Sequence, residues 1–571
     1  MKRINRITMM TPFIPILIAV AVIGIVGFQN AAAQADYVIH NAHVYTMNPD
    51  QPTAEAIAVR GDRILMVGSD DQVLDSYPDA ERRDAGQLPV IPGLIDAHAH
   101  LMDRGLSLQR TDLVGTYSKD AVVERLRDHE QRMPDDAWLT GRGWDQNDWP
   151  ELEYPTRADL DTAFPDRPVW VERIDGHAAW ANTAALIAAG LDQIRDADDP
   201  QGGRILRGES GEPTGIFIDA AMNLVGRSVP EPTDEARVEA LRRVLEETAR
   251  HGLTGIHDAG IELKDLELYR RAVEEGWFGI RLYGMISGLG ATFQHFCNVG
   301  PMFSDQLTVR SVKFYIDGAL GSRGAALLEP YSDEPGTAGL LQIPPAAFTE
   351  NVKSALRCGF QVNTHAIGDR GTRVVLDAYE QAMNELGLTS GRHRIEHAQI
   401  VHPDDIARFR EIGVIASMQP THATSDMYWA ADRLGQDRLE GAYSWRSFLD
   451  EGVKLAFGSD FPVENVSPLL GFYAAITRQD AEGYPDGGWL PDEILTREEA
   501  LKAFTLDAAY AAFQENDLGS IEPGKFADFV VLSKDLMTIP MTEILTTHVI
   551  ATYLNGKRIY QREDTSDAQG R

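Results

Sequence analysis

Cysteine is scarce in this sequence of 571 residues, with Cys297 and Cys358 as its two thiols. Two cysteines allow at most one disulfide and are too few for a cluster of thiolates around a metal ion. Any metal ion that binds this chain must therefore use nitrogen and oxygen ligands.

Positive charge is also in short supply, because 53 lysines and arginines stand against 86 aspartates and glutamates, giving a formal net charge of -33. Such a surplus of negative charge repels polyanions, so we exclude nucleic acid as a partner. The sequence has no heptads or low-complexity tracts, and its 43% hydrophobic content indicates a globular protein of enzyme size. We expect a small-molecule substrate, and a homodimer is an open alternative to a monomer.

A long apolar run occurs near the N-terminus. Residues 1–35 pass from a basic start through this run to small residues, which is the pattern of a secretory signal peptide cleaved after Ala35. This pattern predicts a periplasmic or secreted mature protein. The alternative is an uncleaved membrane anchor, since the run is long enough to span a bilayer, and contact with a membrane is expected only in that case.

Short β-segments bounded by Asn, Gly, Asp and Pro occur at both ends of the mature chain. In the C-terminal group, Asn555-Gly556 is a strong signal for a hairpin turn. We therefore predict a small β-sandwich-like domain built from residues 36–91 and 515–562. The polar residues 563–571 should form a frayed tail.

The middle of the chain alternates short apolar strands with helical stretches, as expected of parallel βα units. Eight such units close a TIM barrel, so the α/β pattern predicts a TIM-like (β/α)8 barrel at residues 92–514. An insertion at about 102–232 follows the first strand, contains its own strand PVWVERIDGH and is expected to cover part of the pocket. The candidate barrel strands are LIDAHAH, TGIHDAG, IRLYGMIS, SVKFYIDGAL, QVNTHAIGD, HRIEHAQI, VIASMQPTHA and KLAFGSDFPV.

Polar residues stand at the ends of several of these strands, and strand ends converge at the C-terminal mouth of a TIM barrel. Histidine nitrogens and a carboxylate oxygen suit Zn²⁺ or another borderline divalent ion. A single histidine at such a position is more often a hydrogen-bonded core or loop residue, but a set on separate strands favours a metal site. The set comprises His98, His100, Lys313, His365, His397 and Asp460.

Lys313 is the unusual member of this set, because a protonated ammonium group repels a metal ion and offers no lone pair. A neutral lysine can react with carbon dioxide to give a carbamate, whose two oxygens can bridge two metal ions. The alternatives are a clamp for a substrate carboxylate and a lysine of the barrel core.

Other polar and aromatic residues lie near these strand ends. His177, Asp317, Arg323 and His422 are candidates for substrate binding, although each also suits a structural role such as a satisfied histidine or a βα turn. Asp96, Asp317 and Glu396 can orient metal ligands or pair with arginine. His257 is a further candidate for the pocket, and Trp144 and Trp149 suit either a substrate wall or, as we favour, the core of the insertion.

The combination of these motifs resembles the amidohydrolase superfamily, and specifically amidohydrolase family 3, which includes N-substituted formamide deformylase-like proteins. The resemblance covers nearly the whole mature chain. It implies a TIM-like barrel with a flanking β-domain, one or two divalent metal ions and hydrolysis of non-peptide C–N bonds. The motifs are PGLIDAHAHL, VKFYIDGALGSRGAAL, THAIGDRG, RIEHAQI, FGSDFPV and GSIEPGKFADFVVL.

The resemblance also implies roles for individual residues. His98 and His100 match ligands of the more buried metal ion, and His365 and His397 match ligands of the more exposed one, while Lys313 matches a bridging N6-carboxylysine. Asp460 matches an aspartate that binds metal and transfers the proton, so we expect Asp460 and His397 to be catalytic.

The implied reaction is hydrolysis of an amide, formamide or cyclic amide by metal-activated hydroxide, with Zn²⁺ as the expected ion. A metal-dependent esterase, lactonase or organophosphate hydrolase is the alternative enzyme. A non-catalytic binding or regulatory protein is the alternative outside enzymes.

Overall fold

A computed structural model describes residues 34–134, 137–191, 198–389 and 391–563. The predicted signal peptide therefore lies outside the described residues except for Gln34 and Ala35, as does the predicted tail except for Glu563. Within the described ranges, no helix combines the length and hydropathy of a membrane span.

The strands of the described residues fall into four sheets. Before the barrel come β1 (Tyr37–His40), β2 (His43–Tyr45), β3 (Thr53–Ala54), β4 (Ala56–Arg60), β5 (Arg63–Gly68), β6 (Glu81–Asp84) and β7 (Pro89–Pro92). Next are β8 (Leu94–Ala99), β9 (Thr111–Asp112), β10 (Leu139–Trp144), β11 (Val169–Arg173), β12 (Ala178–Ala181), β13 (Gly203–Arg207) and β14 (Pro213–Asp219). The remainder are β15 (Leu253–Ile261), β16 (Arg281–Ser287), β17 (Leu307–Tyr315), β18 (Gln361–Ala366), β19 (Arg394–His397), β20 (Ile415–Met418), β21 (Leu455–Phe457), β22 (Phe529–Leu532), β23 (Val549–Leu554) and β24 (Lys557–Gln561).

The helices begin and end at residues suited to those positions. Thr233 caps the helix that precedes β15, and Gly387 ends another helix with a left-handed φ of 68°. The first nine are α1 (Asp70–Ser76), α2 (Leu101–Ser107), α3 (Lys119–Glu130), α4 (Arg157–Asp161), α5 (Thr183–Ala188), α6 (Asn223–Gly226), α7 (Asp234–Arg250), α8 (Leu263–Glu274) and α9 (Ala291–Val299). The others are α10 (Pro345–Arg357), α11 (Asp369–Leu386), α12 (Pro403–Ile412), α13 (Pro420–Asp426), α14 (Ala430–Leu434), α15 (Trp445–Asp450), α16 (Pro468–Thr477), α17 (Arg497–Ala503) and α18 (Leu506–Ala511). Short 3-10 helices occupy Gln146–Asp148, Ala220–Met222, Gln436–Gly441, Pro491–Glu493 and Met541–Thr546.

The central fold is the predicted TIM-like barrel. Its eight strands follow the order β8 and then β15 to β21, and every hydrogen-bonded neighbour pair is parallel. Each of the eight predicted strands supplies one of them. One segment differs from its prediction, because β20 ends at Met418 and Pro420 then begins helix α13. A proline at the first helical position favours this early change from strand to helix.

The barrel closes between β21 and β8 through side-chain and backbone contacts just beyond β21. The Ser459 hydroxyl donates a hydrogen bond to Asp96 at 2.6 Å, and the Asp460 amide donates to the His98 carbonyl at 2.7 Å. Gly458 permits this approach, because a Cβ there would lie 2.5 Å from the His98 backbone nitrogen. The contact fixes Asp460 beside the histidines of β8.

Two sheets flank the barrel. The first contains β5, β4, β1 and β6, all from the N-terminal part, and the second contains β24, β23, β22, β7, β2 and β3, which come from both chain ends. Buried residues of both sheets, including Val44, Ile57 and Phe529, share one apolar cluster. Asn555 and Gly556 form the predicted hairpin turn with φ of 54° and 70°. The division of the chain into this domain and the barrel stays a prediction.

The insertion builds a sheet of its own, in the order β13, β14, β12, β11, β10 and β9. Trp144 and Trp149 are buried in its apolar cluster, together with Trp180. Both tryptophans therefore belong to the core of the insertion, as we favoured, and do not form a wall for substrate.

The two cysteines form a disulfide between Cys297 in α9 and Cys358 at the end of α10. The bond joins two helices of the barrel and lies apart from the strand ends discussed below. It leaves both thiols unable to act as metal ligands.

Substituting Gly458 by alanine should destabilise the barrel, because the added Cβ would lie 2.5 Å from Asp96 Oδ1. Overpacking of this kind costs about 1–3 kcal/mol of unfolding free energy. Denaturant unfolding measures the change. Gly279→Ala is the matched control, since nothing lies within 4 Å of a Cβ there. An equal loss in both variants would contradict the close approach of β21 to β8.

Candidate metal centre

A cavity of about 740 Å³ lies at the carboxyl ends of the barrel strands. The barrel contributes Lys313, His365, His397 and Asp460 to its wall, and His100 joins them from the start of α2. The strand-end residues predicted from the sequence therefore meet around one space, with His98 fully buried behind it.

Asp460 joins two groups of residues that could hold a metal ion. In the first group, its Oδ1 lies 3.1 Å from His100 Nε2 and 3.5 Å from His98 Nε2. Burial raises the pKa of Asp460, but the imidazoles of His100, His98 and His397 outweigh it and hold the pKa well below its usual value. Asp460 is therefore an anion at neutral pH.

The second group contains His397, His422 and the same Asp460. Asp460 Oδ2 lies 4.0 Å from His397 Nδ1 and 3.7 Å from His422 Nε2. His422 belongs to helix α13, and the side-chain amide of Gln399 lies 2.9 Å from its Nδ1. From the sequence, His422 is a candidate for substrate binding. The geometry makes the same residue a candidate metal ligand as well.

Lys313 is buried at the base of the cavity. Its Nζ lies 3.2 Å from His98 Nε2 and 4.4 Å from the ring centroid of Tyr315. Burial lowers the pKa of Lys313 to about 8, so a substantial part of this amine is neutral near physiological pH. Its position beside a candidate ligand disfavours the alternative of a lysine that acts only in the barrel core.

His365 lies beside the second group but is not one of its members. Its ring centroid is 4.6 Å from that of His397, and its Nε2 is 3.3 Å from the Gly318 carbonyl oxygen. Burial lowers the pKa of His365 well below its usual value, so the imidazole is neutral and retains a lone pair.

Glu396 orients His98 from behind the cavity. The His98 Nδ1–H donates to Glu396 at 2.5 Å, which leaves Nε2 facing Lys313 and Asp460. Arg394 Nε lies 2.8 Å from the same carboxylate, so Glu396 both orients a ligand and pairs with arginine. Burial raises the pKa of Glu396, but Arg394 and His98 hold it well below its ordinary value.

Asp317 and Arg323 are not placed in the cavity wall, unlike the sequence interpretation of both as substrate-binding residues. Asp317 is fully buried and accepts hydrogen bonds from three backbone amides, of which Gly368 is the nearest at 2.8 Å. Arg323 pairs with Asp333 at 2.9 Å and Glu334 at 3.4 Å. Asp317 is therefore engaged by the backbone of a neighbouring loop, and the charge of Arg323 is compensated by its two acidic partners.

His257 is likewise engaged within the barrel. It is 1% exposed, and Arg394 Nη1 donates to its Nδ1 at 3.0 Å. Burial lowers its pKa well below the usual value. The structural role that we considered for His257 therefore fits its position.

The insertion supplies cavity residues that the sequence interpretation missed. Arg173 at the end of β11 is paired with Asp145 and Asp175, and all three line the cavity beside His177. The signal was present in the segment VERIDGH, where arginine, aspartate and histidine alternate directly after a buried strand. The position of these side chains in the cavity wall was not predictable, because it depends on how the insertion packs on the barrel.

Negative charge predominates around this cavity, since eight carboxylates face four lysines and arginines. Without a bound metal ion, this imbalance disfavours anionic ligands. The carboxylates are Asp103, Asp112, Asp145, Asp148, Asp175, Asp426, Asp460 and Glu464, and the cations are Arg104, Arg142, Arg173 and Lys313.

A family model described as the amidohydrolase family matches residues 81–560. This chain belongs to the amidohydrolase family. It is 35% identical to the protein LONG AFTER FAR-RED 3 of Arabidopsis thaliana, over 93% of this chain and 92% of that protein. It is 29% identical to an N-substituted formamide deformylase of Arthrobacter pascens, over 92% of this chain and 98% of the enzyme.

A solved structure of an uncharacterized metal-dependent hydrolase from Pyrococcus horikoshii is also similar. It superimposes with a TM-score of 0.72 at 27% identity, and the match covers 88% of this chain and 99% of that one. Together with family membership, this similarity supports a metal-dependent hydrolase.

Substituting Glu396 by glutamine should impair both the fold and metal binding of this amidohydrolase family member. Loss of the carboxylate leaves the buried Arg394 without its ionic partner, which costs about 3–5 kcal/mol of unfolding free energy. Loss of the orienting bond to His98 should weaken metal affinity about 10- to 100-fold. Denaturant unfolding and metal titration measure the two effects.

Glu239→Gln is the matched control for this substitution. Glu239 pairs with Arg243 at 2.7 Å, but both side chains are 52% exposed. Removing this pair should change the unfolding free energy by less than about 1 kcal/mol. Equal effects of the two substitutions would show that Glu396 does not hold a buried network.

Proposed function

We propose that this chain hydrolyses a non-peptide C–N bond of a small molecule, such as an amide, formamide or cyclic amide, with one or two divalent metal ions. The observation that carries the proposal is the sharing of Asp460 between two histidine groups at the base of the cavity. Similarity to an N-substituted formamide deformylase supports the choice of bond.

The residues present fit divalent metal ions. The candidate ligands are imidazole nitrogens and a carboxylate, which suit Zn²⁺. Within the described residues, Asp460 Oδ1 and His422 Nε2 are buried without a hydrogen-bond partner, as expected of atoms that await a ligand. His98, His100 and Asp460 would hold one ion. Asp460 would be shared with the other, held by His397 with His365 or His422.

When bound, a divalent ion lowers the pKa of water and polarises the carbonyl group of a substrate. Asp460, ionised at neutral pH, accepts the proton released when water adds to the carbonyl carbon. The same carboxyl group then donates this proton to the departing nitrogen, so that the product leaves as a neutral amine rather than as a basic anion.

We also propose that Lys313 carries a carbamate. Its neutral amine would add to carbon dioxide, forming the N–C bond of an N6-carboxylysine and releasing one proton. The position of Nζ beside His98 Nε2, at 3.2 Å, supports this proposal because the new oxygens would extend toward the cavity. The product would supply a second anionic ligand in addition to Asp460.

A substrate panel tests the proposed reaction. Metal-loaded protein should hydrolyse formamides or other amides faster than carboxylic esters, lactones or phosphotriesters of matched size.

Chelation should abolish the turnover of amides, and added Zn²⁺ should restore it. Faster turnover of esters, lactones or phosphotriesters would favour the alternative enzyme class. Tight binding of an amide without turnover would instead favour a binding protein.

Substituting Lys313 by alanine tests the carbamate. Purified wild-type protein should hold two metal equivalents, and the variant should hold one or none, because the bridging ligand is lost. Metal content per chain measures this difference. Wild-type protein stripped of metal should need bicarbonate, in addition to Zn²⁺, for full recovery.

Lys454→Ala is the control for Lys313→Ala, since the Lys454 side chain is 46% exposed and pairs with Asp507. It should retain the wild-type metal content. About one equivalent in both the wild type and Lys313→Ala would remove Lys313 from the bridge. Absence of metal from the wild type would refute the proposed function.

A further inference from the structure

The insertion places an imidazole, that of His177, in the wall of the cavity. His177 lies between β11 and β12, and its ring centroid is 5.0 Å from that of His365. It belongs to neither of the two groups that could hold a metal ion. A histidine from outside the barrel, predicted from the sequence as a candidate for substrate binding, therefore borders the candidate centre.

Asp219 fixes the orientation of this imidazole. The His177 Nδ1–H donates to Asp219 Oδ1 at 2.6 Å, and the Asp219 backbone amide donates to the His177 carbonyl oxygen at 3.0 Å. The Asp219 side chain is only 1% exposed. With Nδ1 engaged in this way, Nε2 is the ring nitrogen that remains for a molecule in the cavity.

The barrel in turn fixes Asp219. A Cβ at Gly318 would lie 2.4 Å from Asp219 Oδ2, and a Cβ at Gly324 would lie 2.7 Å from the same atom. Gln342 Nε2 also donates to Asp219 Oδ1 at 3.3 Å. Asp219 has a φ of 50°, which is unusual for a residue other than glycine and is held by these contacts.

The loop that receives Asp219 also contacts the candidate centre. Gly318 follows β17, the strand that carries Lys313, and its carbonyl oxygen lies 3.3 Å from His365 Nε2. Asp219 therefore connects the insertion to a loop that touches a predicted ligand. Through these contacts, His177 is held at a more fixed distance from the candidate centre than a residue of an exposed loop would be.

We propose that His177 hydrogen-bonds the scissile amide group of the substrate through Nε2, and that Asp219 is the positioning residue that aims it. The insertion thereby completes the reaction centre of the barrel. The inference rests on the proposed function, and it adds a substrate-contacting residue that lies outside the metal ligands.

Two substitutions of His177 distinguish this role from a purely structural one. Asparagine places its amide near the position of Nδ1 and can keep the bond to Asp219, whereas glutamine places its amide near Nε2. If Nε2 contacts substrate, His177→Asn should lower kcat/KM about 10- to 100-fold. His177→Gln, which keeps an amide near the position of Nε2 but loses the bond to Asp219, should lower kcat/KM less than His177→Asn does, and both variants should keep the wild-type metal content.

The opposite pattern would overturn the proposal. Full activity in His177→Asn with loss in His177→Gln would show that the bond to Asp219 only fastens the insertion to the barrel. Loss of metal from either variant would show that His177 is a metal ligand, which also contradicts the proposed role.

Binding of acetohydroxamate, a small amide-like molecule, provides a readout that does not depend on turnover. Calorimetry with zinc-loaded protein should show a Kd about tenfold weaker in His177→Asn than in the wild type, and a smaller weakening in His177→Gln. Equal Kd values in all three proteins would overturn the proposal for His177. If the wild type hydrolyses no amide yet the Kd values differ as expected, the proposed function fails while the contact stands.

Paired substitutions test the positioning role of Asp219. Gly318→Ala should weaken acetohydroxamate binding in the wild type, because the new Cβ would displace the Asp219 carboxylate. In an Asp219→Ala background the same change should have little further effect, since no carboxylate remains to be displaced. Additive losses would show that Gly318 acts independently of Asp219. Gly279→Ala, which meets nothing within 4 Å, is the control in both backgrounds.

Discussion

The buried ion pair between Glu396 and Arg394 is the interaction on which the centre of the barrel depends. Both side chains are fully buried, and their pairing at 2.8 Å compensates two charges that the interior could not otherwise tolerate. Arg394 also bonds the Ala97 carbonyl and the Ser417 hydroxyl, so the pair ties β19 to β8 and β20. The same carboxylate sets the orientation of His98. The stability of the barrel and the orientation of His98, a candidate metal ligand, thus depend on the same ion pair.

Asp460 likewise contributes both to the closure of the barrel and to the candidate metal centre. It follows β21, where the backbone closes against β8, and its carboxylate lies between the two histidine groups. Closure of the barrel and assembly of the candidate centre are therefore the same structural event. A barrel that closed with a different register would separate Asp460 from His98 and His100.

Much of this arrangement was predictable from the sequence, because strand ends in a parallel barrel share one mouth. That rule brought His98, His365 and Asp460 together without knowledge of any contact. The eight strands were predictable for a related reason, since each is a short apolar run between turn residues. Family membership then agreed with the fold that these local signals indicate.

The remaining features depended on packing over long distances. His422 was assigned to the end of a strand, but Pro420 starts helix α13 and changes the direction of its side chain. Arg323 follows a glycine-rich stretch that resembles a substrate loop, yet nearby carboxylates compensate its charge. No sequence motif indicated the role of Asp219. That role depends on the packing of its carboxylate against Gly318 and Gly324 of a distant loop.

The separate apolar cluster of the insertion has a consequence for how such a protein can change over time. Trp144, Trp149 and Trp180 pack within the insertion, while Asp145, Arg173 and His177 line the cavity. Mutations that reshape these contacts need not disturb the buried charges that organise the candidate metal ligands. The part of the cavity wall that the insertion supplies can therefore vary between related proteins while the strand-end residues of the barrel stay the same.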